Sequence, residues 1–182
     1  MPVHNLLLLL ADDDLDDCLF FEEALEEIPL LTEVAIVHDG EQLMRYLKNM
    51  DNPIPHILFL DLNMPRKNGF DCLVEIKQVE RLKHLQVIIF STSMEQKMVD
   101  LLYTNGAQYY IHKPPEFAQL KDIIQVALTL IYHELFDATD SRWDKGDQAV
   151  GATRETPSWE VGKDLKQPAR ALFILSQQYI AS

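Results

Sequence analysis

The sequence predicts an α/β fold, an open and doubly wound parallel sheet of five strands, each followed by a helix. Three observations carry that expectation. Short apolar runs recur five times within the first 136 residues. The runs are mostly continuous rather than alternating, as strands covered on both faces are. Between them lie segments with apolar residues at helical spacing, and strand–helix alternation with short connections implies right-handed crossovers.

The first run is the leucine string at 6–10, followed by a helical segment at 16–27. There Leu19, Phe20, Ala24 and Leu25 supply the apolar stripe, with Glu22, Glu23, Glu26 and Glu27 offset from it. The second run, 34–37, precedes a helix over 39–49 with Leu43, Met44 and Leu47 on one side. The third, 57–60, precedes a helix over 69–79 with Phe70, Leu73, Val74 and Ile76. The fourth, 87–90, precedes a helix over 95–104 stopped by Asn105-Gly106, a left-handed C-terminal signal. A weaker fifth run, 109–111, leads to the clearest helix, with Phe117, Leu120, Ile123, Ile124, Ala127, Leu128 and Ile131 in one stripe.

The 182 residues accommodate one domain, 1–136, and an extension, 137–182. The net charge of −13 is uneven: 22 acids oppose 10 bases up to residue 136, and 7 oppose 6 beyond it. Neither part has the basic excess that phosphate-backbone binding needs, so nucleic acid is not an expected partner. The leucine run is too short to span a bilayer and no basic leader precedes it, so a cytoplasmic protein without membrane contact is expected. Cys18 and Cys72 each fall inside a helical segment and read as buried, unreactive thiols rather than a disulfide. The six histidines show no metal-ligand spacing. In the extension, 137–157 reads as a linker, Trp143 and Trp159 stand out, and 169–180 has the pattern of a short helix. Nothing there has the pattern of a DNA-binding output domain.

In a doubly wound sheet the ligand sits outside the carboxyl ends of the strands. Those ends carry Asp12-Asp13-Asp14, then Asp61 and Asn63, then Ser91, Thr92 and Ser93, then Lys113. Taken singly each has an ordinary explanation. Asp14 or Asp16 suits a helix N-cap, Asp61 a turn, Ser91 a strand-end hydrogen bond, and Lys113 the surface. Together they would put carboxylates, a hydroxyl and an ammonium in one crevice. Carboxylates about 4 Å apart repel by about 4 kcal/mol at an effective dielectric near 20, so a cation is required, and oxygen ligands of this kind suit Mg²⁺.

The stretches LLLLADDD at 7–14, ILFLDLNMPRKNGFD at 57–71, VIIFSTS at 87–93 and GAQYYIHKP at 106–114 resemble the receiver domain of two-component response regulators. Stand-alone receivers associated with phytochrome-type kinases are the most similar in these stretches. The resemblance spans about residues 4 to 136. It implies a flavodoxin-like (βα)5 fold with strand order 2-1-3-4-5. It implies a phosphoacceptor signalling protein rather than a turnover enzyme, acting in phosphorelay signal transduction.

Carried over residue by residue, Asp61 is the phosphoacceptor. Asp12, Asp13, Asp61 and the main-chain carbonyl of Asn63 hold Mg²⁺. Ser91 and Lys113 bind phosphoryl oxygens, and Tyr110 is the aromatic switch, turning inward as Ser91 moves. The Lys113–Pro114 bond is expected to be cis, aiming the lysine inward. The implied partners are a histidine kinase of phytochrome-like type, a downstream protein or phosphotransfer partner, and a second copy of the chain after phosphorylation. Two departures stand: Ser91 replaces the commoner threonine, and Pro115 stiffens the entry to the last helix.

Two readings of other classes compete. Asp12-Asp13-Asp14 after a strand also matches the DxD pattern of aspartate-nucleophile phosphohydrolases, with Asp12 as nucleophile, which leaves Asp61 and Asn63 unexplained. A constitutive interaction module that never uses its site is the other.

Overall fold

The computed structural model describes residues 5–92 and 95–137. Five strands, β1 (Leu6–Ala11), β2 (Thr32–Val37), β3 (Ile57–Leu60), β4 (Gln86–Ser91) and β5 (Tyr109–His112), form one parallel sheet in the order β2-β1-β3-β4-β5. They alternate with α1 (Leu15–Glu27), α2 (Gly40–Lys48), α3 (Gly69–Gln78), α4 (Gln96–Thr104) and α5 (Phe117–Tyr132), the last running into a π-helical turn at His133–Asp137. The doubly wound fold read from the sequence, and the strand order that the receiver resemblance implies, are therefore present.

The two-residue period of the strands divides the core. Leu6, Leu8, Leu10, Ile57, Phe59, Ile88, Phe90, Tyr109 and Ile111 face the layer of α1 and α5. Leu9, Ala11, Leu58, Leu60, Val87, Ile89 and Tyr110 face α2, α3 and α4. Both sheet faces are thus covered, which is why the strands carry unbroken apolar runs.

Helix boundaries follow local hydrogen bonding. Asp14 caps α1, accepting from the N–H of Asp16 at 2.9 Å and of Asp17 at 3.3 Å. Asp39 caps α2 through the N–H of Gln42, and Asn68 caps α3 through that of Asp71. α4 ends as its Asn-Gly signal requires. Gly106 adopts φ +92°, its N–H donates to the Tyr103 carbonyl, and the Ala107 N–H reaches that of Leu102.

The sequence misplaces the stripe of α1. Its buried residues are Cys18, Phe21, Ala24 and Leu25, while Leu19 and Phe20 are 55% and 46% exposed. The seam that closes at 3.6 residues per turn runs through Cys18, which behaves as a small hydrophobe, and Phe21 rather than Phe20. In α3 likewise Cys72 is buried, whereas Phe70 and Val74 are half-buried. β2 and β4 begin earlier than the apolar runs, at Thr32 and Gln86, because backbone pairing starts before the first apolar side chain of the run. Among the described residues no helix is long and apolar enough to cross a membrane. Trp143, Trp159 and the helical pattern at 169–180 lie outside the described residues.

Candidate functional site

The sheet ladder continues one residue past several strands, and this places the chemistry. The Asp12 N–H donates to the Val37 carbonyl, that of Asp61 to Ala11, and that of Lys113 to Ser91. Asp12, Asp61 and Lys113 keep the parity of Leu10, Phe59 and Ile111, so all three fall on one side of the carboxyl edge. Ser91 and Tyr110 have the opposite parity and belong to the α4 side.

The three converge. Lys113 Nζ donates to Asp12 Oδ2 at 2.6 Å and to Asp17 Oδ2 at 2.7 Å, and lies 3.8 Å from Asp61 Oδ1. Asp61 Oδ2 accepts the Asn63 N–H at 2.8 Å, and Asp12 Oδ1 accepts that of Asp14 at 3.1 Å. Asp12, Asp61, Ser91 and Lys113 are all buried, while Asp13 is exposed. Burial pushes the Asp12 carboxyl up to about 6, against the opposing pull of Lys113. Burial also acts to lower the Lys113 ammonium, but Asp12, Asp17 and Asp61 together hold it above its ordinary value.

Carboxylate oxygens of Asp12, Asp13 and Asp61 lie within 4.8 Å of one another. Hard oxygen donors at that spacing, with one residue open to solvent, fit a divalent cation that keeps part of its water shell. Asn63 is fastened beside them through its own N–H.

Two expectations need correction. No cis peptide bond occurs among the described residues, so Lys113–Pro114 is trans. The lysine is aimed by the ladder bond from its N–H to Ser91, and the following peptide is not needed for that. Tyr110 is already inward. Its ring is buried, and its phenol is pushed up to about 12 by burial first and by the Asp61 charge second. β5 sends Tyr110 into the α2–α4 core by parity, and its N–H donates to the Tyr103 hydroxyl at 3.1 Å.

Asp17, not among the residues singled out from the sequence, is a direct partner of Lys113. It sits in the first turn of α1, three residues after the N-cap Asp14. Also missed was the turn after β2. His38 Nδ1 lies 3.1 Å from the Asp12 carbonyl oxygen, and Asp39 takes the Arg66 guanidinium at 2.8 Å. The Gln42 N–H, with Arg66 beside it, holds the Asp39 carboxyl below the usual carboxylate range. The spacing Asp39-x-x-Gln42 is a legible cap signal; the Arg66 contact is not. Burial pushes the thiols of Cys18 and Cys72 up to about 12 and about 11, consistent with inert thiols.

The family model described as the response regulator receiver domain matches residues 8–125. Response regulator Rcp1 of Synechocystis is 30% identical over 123 residues, covering 65% of this chain and 84% of its own. Among solved structures, that of the phosphorylated cyanobacterial phytochrome response regulator RcpA aligns with TM-score 0.66 at 29% identity, covering 72% of this chain and 96% of the other. A response regulator in red light signaling of R. palustris aligns with TM-score 0.62 at 32% identity, covering 70% and 91%.

Proposed function

This chain belongs to the response regulator receiver domain family, and on that footing we propose that it receives a phosphoryl group on Asp61 from a histidine kinase and signals by protein–protein contact. The observation that carries the reading is the set of Asp12, Asp13 and Asp61 oxygens within 4.8 Å, with the Lys113 ammonium 3.8 Å from Asp61. No other described cluster joins three carboxylates at metal-ligand spacing.

The chemistry is positioning and charge. The Asn63 N–H fixes the plane of the Asp61 carboxylate. A phosphohistidine of the donor presents phosphorus in line with Asp61. An Asp61 oxygen–phosphorus bond forms as the phosphorus–nitrogen bond breaks, and the imidazole leaves with the electron pair and takes a proton from solvent. Lys113 holds one equatorial oxygen and the Ser91 hydroxyl another. Asp12, Asp13, Asp61 and the Asn63 carbonyl would hold Mg²⁺, which when bound would supply charge neutralisation for the phosphoryl group.

Afterwards the acyl phosphate draws Lys113 and Ser91 toward itself. Because Tyr110 is buried beforehand, the response is a repacking around an inward ring, along β5 and α4, and not an entry of the ring. The partners are a kinase of the phytochrome-associated type, given the relatives above, a downstream protein or phosphotransfer partner, and a second copy of the phosphorylated chain. The working location is the cytoplasm. Family membership sets aside the hydrolase using Asp12. Asp61→Ala tests the assignment: it is expected to keep the fold and lose radiolabel transfer from a kinase or acetyl phosphate, and persisting transfer would refute it.

A further inference from the structure

The loop from Asp61 to α3 carries strain that the phosphotransfer chemistry does not use. Among the described residues Arg66 is the only non-glycine at positive φ, +66°. Across it the Lys67 N–H donates to the Pro65 carbonyl at 2.7 Å, which closes a γ-turn of the rare, strained hand. A glycine would sit there freely, so the position supplies a side chain at a conformational cost. That side chain reaches across to the turn between β2 and α2. Arg66 Nη1 lies 2.8 Å from Oδ2 of Asp39, a buried carboxylate that Gln42 also holds through its backbone N–H and Nε2, both at 2.7 Å.

Arg66 is itself 56% exposed, and an ion pair so placed adds little to global stability. What it joins is more telling. The turn holding Asp39 touches the acidic crevice at His38, beside the Asp12 carbonyl. Its Gly40 lies so close to the loop that an added Cβ would stand 2.1 Å from the Lys67 carbonyl oxygen. The loop is pinned at its two ends, where Asn63 donates to Asp61 and Gly69 to the Leu62 carbonyl. Arg66 anchors its middle.

We propose that Asp39 and Arg66 are positioning residues for the cation site: their ion pair holds the γ-turn, and so fixes the backbone that offers the Asn63 carbonyl to a divalent cation between Asp12, Asp13 and Asp61. This rests on the cation-site reading above. It explains why strain is kept next to a binding loop by a contact worth little to the fold.

The test is Mn²⁺ alone, titrated into the full-length chain and followed by the electron-paramagnetic signal of the free ion. Wild type binds, and Asp13→Asn abolishes binding. Arg66→Gly, which relieves the strain as it removes the pair, keeps its Tm within about 4 °C of wild type and binds about three- to fivefold more weakly. Arg66→Lys recovers most of that loss. In about 1 M NaCl, where the pair is screened, wild type and Arg66→Gly converge. Wild-type affinity in Arg66→Gly, no recovery in Arg66→Lys, a gap unchanged by salt, or a large loss of Tm in Arg66→Gly would each overturn the proposal. Absence of Mn²⁺ binding by wild type, or binding undiminished in Asp13→Asn, would overturn the site reading itself.

Discussion

Replacing Lys113 by methionine removes the ammonium while keeping most of the buried stem, and the structure sets the size of the effect. Asp12 Oδ2 at 2.6 Å loses its partner and Asp61, 3.8 Å away, loses its nearest cation. Breaking one side of a buried pair costs about 3–5 kcal/mol. Here the cost has a ceiling, because Asp12 can take up a proton instead. Its carboxyl already stands at about 6 with Lys113 present, so without Lys113 it moves above that. Wild type already holds that carboxyl at about 6 against an unfolded 3.8, so keeping it protonated in the variant adds at most about 1.4 kcal/mol at pH 7, and almost nothing at pH 5 where both forms carry the proton.

The sign follows from proton counts. With the folded value raised, the native state binds more protons than the unfolded chain between the two values, so stability falls as pH rises through that window. The expected result is a Tm deficit relative to wild type of about 5 °C at pH 7 that nearly vanishes at pH 5, by calorimetry without divalent cation. Added Mg²⁺ should raise the variant's Tm more than that of wild type, since a cation then replaces the lost charge. A deficit equal at both pH values, or one that Mg²⁺ leaves untouched, would show that Asp12 does not take up the proton when Lys113 is gone.

Other substitutions probe separate layers. Gly69→Ala would set a Cβ 2.1 Å from the Asp61 carbonyl oxygen; the backbone behind the phosphoacceptor must shift, so Mg²⁺ affinity measured calorimetrically should fall at least tenfold along with Tm. Phe59→Ala removes a ring packed edge-on to Phe21 at 4.8 Å and to Phe90 at 6.0 Å; chemical denaturation should show a loss of about 3–5 kcal/mol. Tyr109→Phe deletes the hydroxyl that donates to Glu134 at 2.7 Å; a loss of about 1–2 kcal/mol is expected, with faster amide exchange in the turn at His133–Asp137.

Most of the frame was legible because parallel strands and capped helices leave local signals. Continuous apolar runs marked all five strands, and Asn105-Gly106 marked the end of α4 through a backbone preference intrinsic to glycine. The α1 stripe was misread because two adjacent phenylalanines and an uncounted cysteine leave the helical phase ambiguous until the sheet chooses a side. For the candidate site, strand-end position was enough to pick out Asp12, Asp61 and Lys113, whose side chains meet, since parity and ladder register are properties of the sheet. Asp17 and Arg66 were not found. Their roles depend on where a helix turn and a strained loop meet side chains distant in sequence, 96 residues away for Asp17 and 27 for Arg66. The resting position of Tyr110 follows from its parity in β5, which the family-based expectation of an inward turn did not use.

Asp61 is the residue proposed to be modified. The direct measurement is intact-protein mass spectrometry after incubation with acetyl phosphate and Mg²⁺, followed by peptide mapping with borohydride reduction of the acyl phosphate. The expected product carries the mass of one added phosphoryl group, mapped to Asp61, dependent on Mg²⁺ and absent from Asp61→Asn. A phosphoryl group mapped to Asp12 or Asp13, or retained in Asp61→Asn, would contradict that assignment.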